Sequence, residues 1–169
     1  MKFKNLTTDR SSTDRNLRPA RPSGADFWLL GNSFFQAAAI LHNDMKNSLG
    51  SNDVATPTTF LYLRSVELCC KACLPKSTYS DTTIMTNLGH DLSKLLDALS
   101  DSKILDNIRV HRNQFQTIDR FSNEYRDKWI EYCPGFQRIP DLDSLSDEIR
   151  PLLASTKQYI ITNLGEFDS

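Results

Sequence analysis

From residue 25 onward, apolar residues recur at three- and four-residue steps, the spacing that turns one face of an α-helix toward a core. Phe27, Leu30, Phe34, Ala38, Leu41 and Met45 form the first stripe, widened by Trp28, Phe35 and Ile40. This predicts a central helix over about 25–47, apolar around much of its girth. Gly50, Ser51, Asn52 and Asp53 mark a loop. Thr56-Pro57-Thr58 then supplies a cap and an early proline for a second helix over about 57–74, stopped by Pro75. After a polar loop at 76–88, Leu92, Leu95, Leu96 and Leu99 predict a short third helix starting near His90 or Asp91. Ile104, Ile108, His111, Phe115, Ile118, Ser122, Tyr125 and Trp129 carry the same period without interruption. They predict the longest periodic helix of the chain, with His111 on its apolar stripe and Arg109 and Arg112 on a neighbouring polar face. Tyr132-Cys133-Pro134-Gly135-Phe136 reads as a turn. A last helix carries Leu142, Leu145, Ile149, Leu152, Leu153, Tyr159, Ile160 and Leu164, and Pro151 must kink or restart it. No stretch alternates as a half-buried strand does, and no repeat is found. The expected fold is all-α, an up-and-down bundle of about five helices.

A length of 169 residues suits one domain, and 39% hydrophobic with 24% charged residues is ordinary for a globular chain. No apolar run reaches the roughly 20 residues that span a bilayer, and Met1 leads into a polar segment without an apolar signal core. The expectation is a soluble cytoplasmic protein. Net charge is -1, but residues 1–24 hold Lys2, Lys4, Arg10, Arg15, Arg18 and Arg21 against Asp9 and Asp14, which is +4 there and -5 over the rest. Poor in apolar residues, 1–24 is expected to be a flexible basic arm, either a solvated tail or a contact for phosphates or an acidic partner. Residues 25–169 form the helical domain. Of four cysteines, Cys69, Cys70 and Cys73 share one helix with Cys133 elsewhere, which favours reduced thiols. A structural zinc needs four ligands and no second Cys/His pair stands at a fitting distance, so no metal is expected. Gly-rich phosphate loops are absent too, and no cofactor is expected.

Glu67-Leu68-Cys69-Cys70-Lys71-Ala72, Gly89-His90-Asp91-Leu92 and Asn123-Glu124-Tyr125-Arg126, in this order over residues 25–165, resemble the HEPN superfamily. The resemblance implies a helical bundle that commonly dimerises. It implies either a metal-independent ribonuclease of toxin, antiviral or RNA-processing systems, or a silent partner of nucleotidyltransferases and larger defence assemblies. Nuclease members carry an arginine and a histidine separated by four to six residues on one helix. Counting back five to seven residues from His42, His90 and His111 meets no arginine, and Arg112-Asn113 is followed at 117–119 by Thr117, Ile118 and Asp119.

Chemistry on another arrangement would pair His111 or His90, as proton carrier, with Arg112 or Arg109 against developing phosphorane charge. Lys71, His90, Arg109 and Arg112 are the candidate nucleotide or RNA contacts. Glu67 and Lys71 stand at i and i+4, worth about 0.2–0.5 kcal/mol when exposed. If Glu67 faces the fourth helix instead, it pairs with Arg109 or Arg112 in a structural polar network. Asp91 caps the third helix, and His111 is a packed core or interface histidine unless it is catalytic. Two functions follow. One is a non-catalytic HEPN-like module that homodimerises or docks on a partner, such as a nucleotidyltransferase, in a nucleic-acid-related defence or toxin–antitoxin system. The other is an endoribonuclease with a displaced site, in which Arg112 and His111 meet in an open cleft.

Overall fold

The computed structural model describes residues 22–47, 54–74, 79–80, 83–132 and 139–165. The basic arm up to residue 21, the Gly50–Asp53 loop, Pro75, much of the 76–82 loop and the turn from Cys133 to Phe136 lie outside the described residues. Within them the chain is all helical and no strand occurs: α1 Gly24–Asn47, α2 Ala55–Cys73, α3 Leu92–Asp101, α4 Ile104–Asn107, α5 Gln116–Arg126, α6 Trp129–Tyr132 and α7 Leu142–Tyr159. Single π-helical turns, Thr83–Leu88 and Ile160–Leu164, precede α3 and follow α7. No described helix is long and apolar enough to cross a membrane.

Helix α2 is the axis of the bundle. Tyr62, Leu63, Val66, Leu68, Cys69, Cys70, Ala72 and Cys73 are all buried, and α1, α3, α6 and α7 pack around it. It begins at Ala55 with Pro57 in its first turn, and no side chain caps it; Thr58 and Thr59 instead donate back to the carbonyls of Val54 and Ala55 at 2.6 and 2.8 Å. Helix α1 starts on a reciprocal cap in which the Ser23 Oγ accepts from the Asp26 N–H and the Asp26 carboxylate accepts from the Ser23 N–H.

The inward face of α1 differs from the one its most apolar stripe predicts. Ala25, Trp28, Gly31, Phe35, Ala38 and His42 are buried, whereas Leu30 is 48% exposed and Ile40 70%. Small residues decide the choice. Gly31 and Ala38 let α1 approach α2 closely, while Trp28 and Phe35 fill the flanks and the Trp28 indole donates to the Leu153 carbonyl of α7 at 3.0 Å. Helix α1 is therefore a packed surface helix rather than a central one.

The long fourth helix is not one element. Helix α4 ends after a single turn, where Arg109 takes a left-handed φ of 55° and the Val110 N–H reaches back to the Leu105 carbonyl at 3.0 Å. His111 is extended, Arg112–Gln114 make a 3-10 turn, and α5 starts with its Thr117 and Ile118 N–H groups capped by the Glu148 carboxylate at 2.9 and 3.2 Å. A further left-handed residue, Lys128 at φ 60°, separates α5 from α6. The break folds Ile108, Val110 and Phe115 all into the core, which one straight helix could not do. Helix α3 buries Leu92, Leu95, Leu96 and Leu99 at the predicted spacing. Helix α7 runs on through Pro151, so the proline neither ends nor restarts it.

A Cβ on Gly31 would lie 3.2 Å from Cys69 Sγ, Leu68 Cβ and the Ser65 carbonyl oxygen. In an open helix Gly→Ala gains about 1 kcal/mol; here overpacking against α2 reverses the sign. Gly31→Ala is expected to lose about 1 kcal/mol in urea unfolding, with Gly31→Val worse, and an alanine variant more stable than wild type would contradict this packing.

Candidate functional site

The side chain at the centre of the bundle's polar chemistry is Glu67, 0% exposed on the α2 face turned toward α5. A carboxylate stripped of water costs several kcal/mol unless it is paired and hydrogen-bonded. Four donors meet it. Lys71 Nζ lies 2.6 Å from Oε1, and Arg64 Nη1, His90 Nδ1 and Tyr125 Oη lie 2.7, 2.9 and 2.5 Å from Oε2. Burial pushes the Glu67 pKa up, but the Lys71 charge and the bonds from Lys71, Tyr125 and His90 outweigh it and hold the group below its ordinary value. Tyr125 is driven the other way, well above its usual range, by burial and by the neighbouring Glu67 charge, so its hydroxyl stays protonated as a donor.

Local sequence explains how these groups converge. Arg64, Glu67 and Lys71 are three and four residues apart and share one face of α2. Gly89 adopts φ 47°, a left-handed bend that glycine accepts without strain, and it turns the chain so that His90 faces Glu67 while Asp91 enters α3. Asp91 then caps that helix, its Oδ1 accepting from the Lys94 N–H at 3.1 Å and its Oδ2 meeting Arg126 Nη1 at 3.3 Å. Successive residues of α5, Tyr125 and Arg126, thus reach the carboxylates of Glu67 and Asp91, and one polar frame joins α2, the 89–91 turn and α5. Because ionised Glu67 only accepts, the His90 proton is assigned to Nδ1, and Nε2 is the ring nitrogen left for a ligand. His90 remains 45% exposed and, with Phe60, Arg64, Tyr125 and Lys128, lines a pocket of about 220 Å³ above Glu67.

The other sequence candidates lie apart from this frame. Arg112 meets Asp119 in a two-pronged contact at 2.6 and 2.8 Å and Asp97 at 2.8 Å, and the bonds to Asp119 foremost raise its pKa. It does not reach Glu67, and neither does Arg109, which is exposed on its left-handed turn and lines a separate pocket with Ser155, Gln158 and Tyr159. His111 is exposed rather than packed on an apolar stripe, because the helix expected to hold it inward is broken there. Lys71 is 6% exposed and spent on Glu67, which corrects both its solvated reading and its phosphate-contact reading. Sequence reading missed Arg64, Phe60 and Lys128. Arg64 had a signal, since it stands one turn before Glu67; Lys128 had none.

Cys69, Cys70 and Cys73 are buried, and burial pushes all three thiols up, Cys73 to about 12. Cys73 Sγ donates to Thr156 Oγ1 at 3.6 Å. Among the described residues no group of three or more His, Cys, Asp or Glu side chains could hold a metal ion.

Lys71→Met should lose about 3–5 kcal/mol by leaving Glu67 under-compensated. The Glu67→Gln/Lys71→Met double variant should lose less than the sum of the single losses, which a double-mutant cycle in urea measures. A lowered carboxylate pKa adds stability above its unfolded value, near 4.5 for Glu67, and that stability is lost as pH falls through the folded value. Unfolding free energy should therefore drop below about pH 4.5 less steeply in Glu67→Gln than in wild type; equal slopes would count against an ionised Glu67.

No family model matches the chain, and no curated protein or solved structure matches it either. A functional reading of this all-α bundle accordingly rests on its own residues and their geometry.

Proposed function

We propose that the protein is a non-catalytic, HEPN-like helical module that homodimerises or docks on a partner in a nucleic-acid-related defence or toxin–antitoxin system. The observation that carries the docking role is the outer face of α1. Leu29, Leu30 and Ile40 are 52, 48 and 70% exposed, and Phe34, Ala37 and Leu41 between them are half-buried. Six apolar residues on one flank of a single helix form the kind of surface that marks an association site. A silent role is supported by the fate of Arg112, whose guanidinium is held by the Asp97 and Asp119 carboxylates; the exposed His111 is not the packed histidine that this reading expected. The resemblance in the three short motifs supplies the biological setting, with a nucleotidyltransferase or another defence protein as the heterologous partner.

One contact favours a second reading. Arg64 Nη1 and His90 Nδ1 stand 3.4 Å apart at the open pocket, so a guanidinium and an imidazole do converge, on residues other than Arg112 and His111. A metal-independent endoribonuclease would use His90 Nε2 as base and Arg64 as charge stabiliser.

Sedimentation of purified protein is expected to show a dimer, and Leu30→Asp/Ile40→Asp a folded monomer. Labelled single-stranded and structured RNAs in chelator should remain intact with wild type and with Arg112→Ala alike. A wild type that stays monomeric and captures no partner through α1 would remove the docking role; cleavage abolished by His90→Ala would establish the second reading in its place.

A further inference from the structure

We propose that the pocket between the end of α4 and the last turns of α7 binds the C-terminal carboxylate of a peptide or protein partner. The site stands apart from the outer face of α1 and from the Glu67 frame, and it depends on neither.

Charge is the first ground. The pocket encloses about 410 Å³, and among the described residues that wall it Arg109 alone is charged. Arg64, Arg112 and Arg126 each meet a carboxylate, whereas among the described residues none pairs with the Arg109 guanidinium. A planar fork of N–H donors matches a carboxylate in two parallel hydrogen bonds, and the resulting pair is neutral. A phosphomonoester dianion in the same place would keep one charge uncompensated.

The backbone is the second ground. Arg109 ends α4 at φ 55°, a left-handed conformation that glycine adopts more readily, while its N–H bonds to the Asp106 carbonyl at 3.0 Å. Glycine would make this turn with less strain; what arginine adds is a cation on the pocket wall.

The facing wall is the third ground. Ser155, Gln158, Tyr159, Thr162 and Asn163 follow one another at steps of one to four residues along α7 and the π-helical turn after it. Gln158 Nε2 donates to Thr162 Oγ1 at 3.0 Å, and Asn163 Nδ2 donates to the Tyr159 carbonyl at 3.1 Å. With these N–H groups spent inside the wall, Gln158 Oε1 and Asn163 Oδ1 are left as acceptors. A peptide end brings the complement: a carboxylate for Arg109 and, next to it, backbone N–H donors for the amide oxygens. A free amino acid fits less well, because its ammonium meets no carboxylate in the wall. Ile108 and the Tyr159 ring supply an apolar side for the terminal side chain, and the volume falls in the range of ordinary ligand sites.

Nitrogen-15 NMR titration of the full chain tests the site with N-acetyl-alanyl-leucine, the C-terminal amide of the same dipeptide, and free leucine. The acid is expected to shift the side-chain amide resonances of Gln158 and Asn163 saturably, and the other two probes to bind at least about tenfold more weakly. Arg109→Gly, which relaxes the left-handed turn, should melt no lower than wild type and lose about tenfold or more in affinity for the acid. Arg109→Lys keeps the charge without the fork and should fall between the two. No saturable shift with the acid overturns the proposal, as does equal binding of acid and amide, or wild-type affinity in folded Arg109→Gly. Inorganic phosphate shifting the same resonances at lower concentration than the acid would also overturn it.

Discussion

The buried carboxylate of Glu67 organises this bundle. Glu67 is 0% exposed, so its ionised form persists because Lys71 and Arg64 from its own helix, His90 from the 89–91 turn and Tyr125 from α5 all point at it. The consequence is geometric as much as energetic. Helices α2 and α5 touch sparingly through their backbones, and the Tyr125 hydroxyl at 2.5 Å fixes their spacing more tightly than apolar packing, which tolerates small slides. The same demand sets the approach to α3, since His90 must face α2 while Asp91 caps the helix that follows.

This arrangement also determines what the protein shows to solvent. A carboxylate neutralised by several cations leaves an excess of positive charge, and the cations that cannot be buried surface together. Lys71 lies beneath and Arg64 and His90 lie at the opening, so the electropositive pocket is a by-product of satisfying Glu67. Asp91 and Asp127 with Lys94 and Arg126 form a neighbouring frame in which acid and base balance, and Arg112 with Asp97 and Asp119 forms another that is net negative.

Periodicity made the helical architecture legible. The leucines of α3, the Cys-rich face of α2 and the apolar positions of α7 fell where three- and four-residue spacing put them. Two features escaped it for identifiable reasons. Helix ends usually announce themselves by glycine, but Lys103, Arg109 and Lys128 occupy the left-handed positions here, so nothing in the residue types signalled the breaks around α4 and α5. Similarly, the inward face of α1 was set by Gly31 and Ala38, whose value lies in how little space they take, while a hydrophobicity count favours Leu30 and Phe34. Of the polar frame, the Glu67–Lys71 pair could be read at one-turn spacing; Tyr125, 58 residues further on, is brought to Glu67 only by the tertiary fold.

The broken fourth segment bears most directly on function. An arginine and a histidine on one helix keep their relation through local geometry alone, whatever the rest of the chain does. Here the segment from Ile108 to Phe115 is turn, extended residue and 3-10 turn, and that local coupling is gone; the imidazole and guanidinium that do approach each other come from α2 and from the 89–91 turn. A pocket assembled from separate elements exists only while the bundle is closed, so any ligand it holds binds the folded state and leaves the unfolded chain untouched. Such a ligand stabilises the protein by mass action, with no further contact needed.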